Sequence, residues 1–182
     1  MFEDNLISYE DNYPKENVDF SDIYNEINMM AGYIIMQLRD ANASISFAES
    51  CTGGLLAGSF IGVSGSSDVI NESYVTYANE SKVKILNIPL DVINEKGAVS
   101  VDVAGYMAKG VAKIAKSEVG VGITGVAGPT GGTDEKPVGL VYIGISINGD
   151  IKVCKCNFKG DRLSVRLKAV KKAIDLLAEA IK

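Results

Sequence analysis

The 182-residue chain contains no histidine and no tryptophan, and it has only three cysteines and four prolines. Lacking histidine, it lacks the usual general base near neutral pH and the commonest zinc ligand. Cys51, Cys154 and Cys156 alone cannot assemble a zinc site of the common kinds, so no metal and no cofactor is expected. An odd cysteine count also argues against a disulfide framework. Cys154 and Cys156 alternate with lysines in IKVCKCNF and read as small apolar side chains on one face of a strand. Positive charge is scarce as well: 18 Lys and Arg stand against 23 Asp and Glu, a net charge of −5 that disfavours a nucleic-acid partner. No apolar run reaches the roughly 18 residues that span a bilayer. The N-terminal MFEDNLISYEDNYPKENVDFSD lacks the basic-then-apolar order of a signal peptide. A cytoplasmic protein without membrane or nucleic-acid partners is expected.

What is present suits one soluble core, with 47% hydrophobic and 23% charged residues. Residues 1–22 are polar, acidic and aperiodic, and are expected to form a flexible or loosely docked extension ahead of a single domain over 23–182. Apolar residues at three and four spacings predict a helix from about Ser21 to Arg39. SISFAES reads as a buried strand, CTGGLLAGSFIGV as a helix, and DVINESYVTYA as a second strand. Asn79 is the expected N-cap of ESKVKILN, Pro89 opens a further short helix, and Ser100 caps a helix over 100–117. Strands in EVGVGITG, PVGLVYIGISING and DIKVCKCNF follow, the last two joined by an Asn148-Gly149 hairpin. A long amphipathic helix closes the chain. This order predicts an α/β fold, a three-layer α/β/α sandwich with a mixed β-sheet.

Gly120, Gly122 and Gly125 match the dinucleotide spacing G-x-G-x-x-G, but they lie within a strand and no helix follows, so the match carries no cofactor site. In the loop GVAGPTGGTDEKPVG, Gly125, Gly128, Gly131 and Gly132 would let backbone amides face an anion. The same composition also suits a plain, wide hairpin connection.

AESCTGG sets three candidate nucleophiles side by side, Ser50, Cys51 and Thr52. A strand ending at Ala48 and a helix starting soon after would put Ser50 where the free amides of a first helical turn can stabilise an oxyanion. Ser50 or Thr52 could equally be an N-cap. Without histidine, a carboxylate or a neutral lysine must serve as base. Glu49 is adjacent but should point to the opposite side of the strand. Lys82 falls in the first helical turn after Asn79, where the macrodipole and burial would lower its pKa. A plain surface lysine is the other reading. Cys51 fits either a thiolate nucleophile or a packed small residue.

Taken together, AESCTGG at 48–54, GVSGSSDVINESYVTYANESK at 62–82, GAVS at 97–100, GITGVAGPTGGTDEKPVG at 122–139 and FKGDR at 158–162 resemble the nicotinamide-nucleotide amidase family, the CinA C-terminal domain type. The resemblance runs from about Ile23 to the C-terminus. It implies a metal-free hydrolase that converts nicotinamide mononucleotide to nicotinic acid mononucleotide and ammonia. It places the nucleophile on Ser50, the base on Lys82, an assisting tyrosine on Tyr77 and a hydroxyl near the dyad on Thr124. Substrate contacts are expected from Glu49, Cys51, Thr52, Gly53, Asn79, Thr124, Gly125, Gly128 and Arg162. Arg162 and the loop amides would hold the phosphate, although Arg162 also fits an exposed helix start. The implied partner is a small-molecule nucleotide, and a homo-oligomer is the expected assembly. The acidic extension departs from the family pattern. The length leaves no room for the nucleotide-processing domain of larger CinA proteins, which implies a stand-alone form. A catalytically silent nucleotide-binding or scaffold domain is the alternative from another class.

Overall fold

The computed structural model describes residues 1–12 and 20–181. Helix α1, Phe20–Asp40, carries Ile23, Ile27, Ala31, Ile34 and Leu38 at steps of three and four, and all five are buried. That stripe packs against α6, Arg162–Ala180, whose Val165, Ala169, Ala173 and Leu177 repeat the same spacing. Strand β2, Ile45–Glu49, is buried along its whole length, as befits a central strand covered on both faces. Its neighbour β3, Ile70–Val75, alternates half-buried and exposed positions at the sheet edge.

Strands β4, Val119–Gly125, β5, Leu140–Ile147, and β6, Asp150–Asn157, complete the part of the sheet read from sequence. Asn148 and Gly149 both adopt positive φ, 50° and 92°, and so make the tight turn between β5 and β6. The sheet order is β1-β6-β5-β4-β2-β3, where β1 is Leu6–Glu10. Strands β4, β2 and β3 run parallel, β5 runs antiparallel to β4 and β6, and β1 is parallel to β6. With α2, Leu55–Ile61, helices α1 and α6 cover one face. Helix α5, Val101–Ala115, with α3, Asn79–Leu86, and α4, Leu90–Lys96, covers the other. The three-layer mixed α/β/α arrangement is the one the sequence predicts.

The dinucleotide-like glycines serve packing. A methyl group on Gly122 would lie 2.6 Å from Met107 Cβ and 2.7 Å from the Ala104 carbonyl oxygen, and one on Gly120 would collide with the Ala108 carbonyl. Gly144 in β5 meets Ala104 in the same way. These glycines let α5 rest directly on the strand backbones.

Three local expectations need correction. The extension expected over 1–22 is not loose over residues 1–12. β1 pairs with β6 from Leu6↔Val153 to Glu10↔Asn157, Phe2 meets Tyr106 edge-on at 5.4 Å, and Met1 pairs with Asp102 at 3.2 Å. The strand is short and half exposed, so it carries no alternation strong enough to read. Residues 13–19 of that expected extension lie outside the described residues. Asn79 is the first residue of α3, and Ala78 is the cap, with no side-chain cap bond. The segment Cys51–Gly54 forms turns, so α2 begins only at Leu55. Among the described residues no helix is long and apolar enough to cross a membrane.

Candidate active site

Strand β2 lies where the order of the sheet changes direction. The chain leaves it through α2 to β3 on one side and returns through α3, α4 and α5 to β4 on the other. Open parallel sheets bind ligands outside the carboxyl ends of the strands at such a point. Ser50 follows β2 at that end. Its amide donates to Ile123 of β4 at 2.9 Å, and the amide of Thr76 donates to the Glu49 carbonyl at 2.9 Å, so both neighbouring strands fix its backbone. The Ser50 side chain is half-buried and remains reachable.

Lys82 is 1% exposed, so the plain surface reading fails. From the first turn of α3 its Nζ donates to the Thr76 carbonyl at 2.7 Å and the Tyr77 carbonyl at 3.2 Å, and reaches Ser50 Oγ at 3.2 Å. Carbonyl partners favour the ammonium form, whereas burial disfavours it, and burial wins: the Lys82 pKa is lowered from its ordinary 10.5. The two carbonyls account for the two N–H bonds of a neutral amine. Its lone pair is then left facing the Ser50 hydroxyl.

Glu49 lies on the other side of β2 from this pair and is wholly buried. Its carboxylate accepts the amides of Gly54 at 3.1 Å, Leu56 at 3.0 Å and Ala57 at 2.9 Å. It therefore occupies the amides of α2 that were expected to face the substrate, and it is no substrate contact. Neither Ser50 nor Thr52 is the cap; Gly54 holds that position, with φ of 91°. Directly after Ser50, the amides of Cys51 and Thr52 have no backbone acceptor among the described residues.

Arg166, which the sequence reading passed over, holds this turn from α6. Its Nε donates to the Cys51 carbonyl at 3.1 Å and its Nη2 to the Thr52 carbonyl at 2.8 Å. Since the C=O and N–H of a trans peptide point opposite ways, holding the Cys51 carbonyl turns the Thr52 amide away from α6. The signal available was the helical i, i+4 spacing of Arg162 and Arg166. Gly53, with φ of 62°, sits within the same turn, and a Cβ there would lie 3.3 Å from Arg166 Nη2.

Cys51 points into the core, and burial pushes its thiol up to about 12. The thiol is therefore neither a thiolate nucleophile at neutral pH nor a substrate contact. Thr52 is wholly buried, and its Oγ1, like that of Thr76 beside Lys82, has no hydrogen-bond partner among the described residues. Thr124, next to Ile123 on β4, donates through Oγ1 to the Ala98 carbonyl at 2.8 Å and so ties the GAVS segment to the strand. Asn79 is exposed at the start of α3.

Tyr77 is 63% exposed. What it offers Lys82 is a backbone carbonyl, and its hydroxyl accepts from Arg162 Nη2 at 3.4 Å. Arg162 Nη1 donates to the Gly128 carbonyl at 2.7 Å, so this arginine bridges the glycine loop to Tyr77. Gly125 closes β4 beneath the loop, where a Cβ would lie 2.7 Å from the Leu140 carbonyl oxygen. A cavity of about 620 Å³ lies beside the loop, lined by Ala127, Pro129, Val138, Leu163, Arg162 and Arg166. That volume falls within the roughly 300–1,000 Å³ typical of small-molecule sites.

A family model described as the CinA C-terminal domain matches residues 27–181. The chain belongs to the CinA C-terminal domain family. A CinA-like protein of Kosmotoga olearia is 46% identical over 148 residues, which are 81% of this chain and 36% of that protein. The chain spans about a third of the length of the curated relatives it matches. The solved competence/damage inducible protein CihA of Agrobacterium tumefaciens matches with a TM-score of 0.83 and 36% identity, over 86% of this chain and 95% of that one. A CinA-superfamily structure from Escherichia coli matches with a TM-score of 0.81 and 31% identity, over 92% and 96%. The CinA family model begins after β1, so the edge strand lies outside the matched segment.

Proposed function

We propose that this CinA domain is a serine amidohydrolase that deamidates nicotinamide mononucleotide to nicotinic acid mononucleotide and ammonia. The observation that carries the reading is the buried Lys82 amine at 3.2 Å from Ser50 Oγ, with its pKa lowered by burial. A serine hydroxyl needs a base to attack an amide, and a lysine kept neutral at working pH can be one.

In this mechanism the Ser50 hydroxyl gives its proton to Lys82 as Oγ attacks the carboxamide carbon. The amides of Cys51 and Thr52, the latter oriented by Arg166, receive the developing oxyanion. The Lys82 ammonium then protonates the leaving nitrogen, ammonia departs, and an ester on Ser50 remains. Water attacks that ester while Lys82 takes the water's proton. On collapse the proton returns to Ser50 Oγ and the nicotinic acid product leaves. Arg162 uses one N–H on Gly128 and one on Tyr77, and its remaining N–H groups can take the nucleotide phosphate.

The test is ammonia release from nicotinamide mononucleotide by the full chain and by Ser50→Ala. The wild type should turn over and Ser50→Ala should bind without turnover. Wild-type binding without ammonia would instead leave a silent nucleotide-binding domain.

A further inference from the structure

The edge strand β1, ahead of the segment that the CinA family model matches, ends beside the loop that leads into Arg162, the first residue of α6. In the β1–β6 register Glu10 lies opposite Asn157, which brings the next residue, Asp11, beside the segment Phe158–Asp161. Asp11 is 0% exposed in its side chain, and its Oδ2 pairs with Lys168 Nζ of α6 at 2.7 Å, that side chain being 3% exposed. The same Oδ2 accepts the amide of Lys159 at 2.9 Å, and Lys168 Nζ donates to the Lys159 carbonyl at 2.9 Å. Both polar groups of residue 159 are thus held, one by each member of a buried ion pair. Three residues further on, Arg162 bridges Gly128 and Tyr77. Asp161 between them caps α6 through Ser164.

We infer that Asp11, from outside the CinA domain proper, is a positioning residue for Arg162. Paired with Lys168, it clamps the loop that leads into α6, from whose first residue Arg162 reaches the substrate phosphate. The inference rests on the amidase reading above for the identity of that substrate. The register gives it a sharp geometric condition. A slip of one residue between β1 and β6 would send the Asp11 side chain to the other face of the sheet and release the loop. Tyr9 helps to hold the register, its ring 6.0 Å from that of Phe158 and beneath Lys172 Nζ at 4.3 Å.

Asp11→Ala alone would strand a buried cation and could fail to fold for that reason. The decisive comparison is therefore Asp11→Ala/Lys168→Met against Asp11→Asn/Lys168→Met. Both double variants remove the two charges of the pair together, and only the asparagine variant keeps an oxygen for the Lys159 amide. Kd by calorimetry and KM would be measured with nicotinamide mononucleotide, and amide exchange over 158–161 by mass spectrometry, all on the full chain. The alanine variant should show faster exchange at 158–161 and a KM raised at least about fivefold with kcat changed far less. The asparagine variant should stay within about twofold of the wild type in KM. In an Arg162→Ala background the difference in KM between the two should vanish, because both changes would act through one side chain. Unchanged exchange, or faster exchange with unchanged KM and Kd, would overturn the positioning role. If the wild type binds the nucleotide without releasing ammonia, the amidase reading falls and the Asp11 inference is decided on Kd. If the wild type does not bind it, both fall.

Discussion

Glu49 Oε1 accepts the amide of Ala57 at 2.9 Å, so a carboxylate at the end of β2 closes the first turn of α2 eight residues later. The adjacent Ser50 faces Lys82. One residue at the strand end thus secures the helix, and the next is left for chemistry. Glu49→Gln keeps the shape but sets an NH2 group against a backbone N–H. It should cost roughly 1–3 kcal/mol in urea unfolding, the penalty of buried donors left without an acceptor. A variant as stable as the wild type would show that the capping bonds contribute nothing.

Cys51→Ala should retain most of the proposed amidase activity, because its thiol is packed in the core. Iodoacetamide at neutral pH should leave Cys51 of the folded protein unlabelled, since burial pushes the thiol up to about 12. Inactivation that tracks alkylation of Cys51 would move the nucleophile to sulfur.

In the proposed mechanism Lys82 sets the pH behaviour. Its folded pKa lies below its ordinary 10.5, so kcat/KM should rise with pH as the ammonium loses its proton, with a midpoint below that of a free lysine. For stability the sign follows from proton binding. Between the folded and ordinary values the unfolded chain holds a proton that the native state has shed, so Lys82 makes the fold relatively more stable as pH rises through that window. Lys82→Arg should be as inactive as Lys82→Ala, because a guanidinium cannot give up its proton. Near-normal turnover by the arginine variant would end the Ser/Lys mechanism.

Arg166→Lys should lower kcat about tenfold or more with little change in KM, since a single ammonium cannot reproduce the fork that holds the Cys51 and Thr52 carbonyls. Equal loss in kcat and gain in KM would place Arg166 on the bound substrate instead.

Much of this architecture is legible from residues alone because the patterns are local. The stripe of α1, the Asn148-Gly149 turn and the Ser100 cap each rest on contacts a few residues apart. The meeting of Ser50 and Lys82, 32 residues apart, is implied by the family resemblance and not by a local pattern. What escaped depends on distance in sequence. Asp11 meets Lys168 across 157 positions, and Arg166 meets Thr52 across 114. Glu49 escaped for another reason. A glycine cap without a side-chain bond gives no start signal, and the acceptor that replaces it lies upstream within the strand.

The bare glycine floor under α5 makes the two faces of the sheet mechanically unequal. On that side the helix stands on main-chain atoms at Gly120, Gly122 and Gly144, so its height is set by covalent geometry and cannot be taken up by rotamer changes. On the other side α1, α2 and α6 float on isoleucine, phenylalanine and cysteine side chains, which can repack by small steps. Strand β4, which carries Thr124, and strand β5 are therefore stiffly backed by α5. Closure around a ligand should accordingly be carried by the layer that bears Arg162 and Arg166, while Ser50 and Lys82 stay in place.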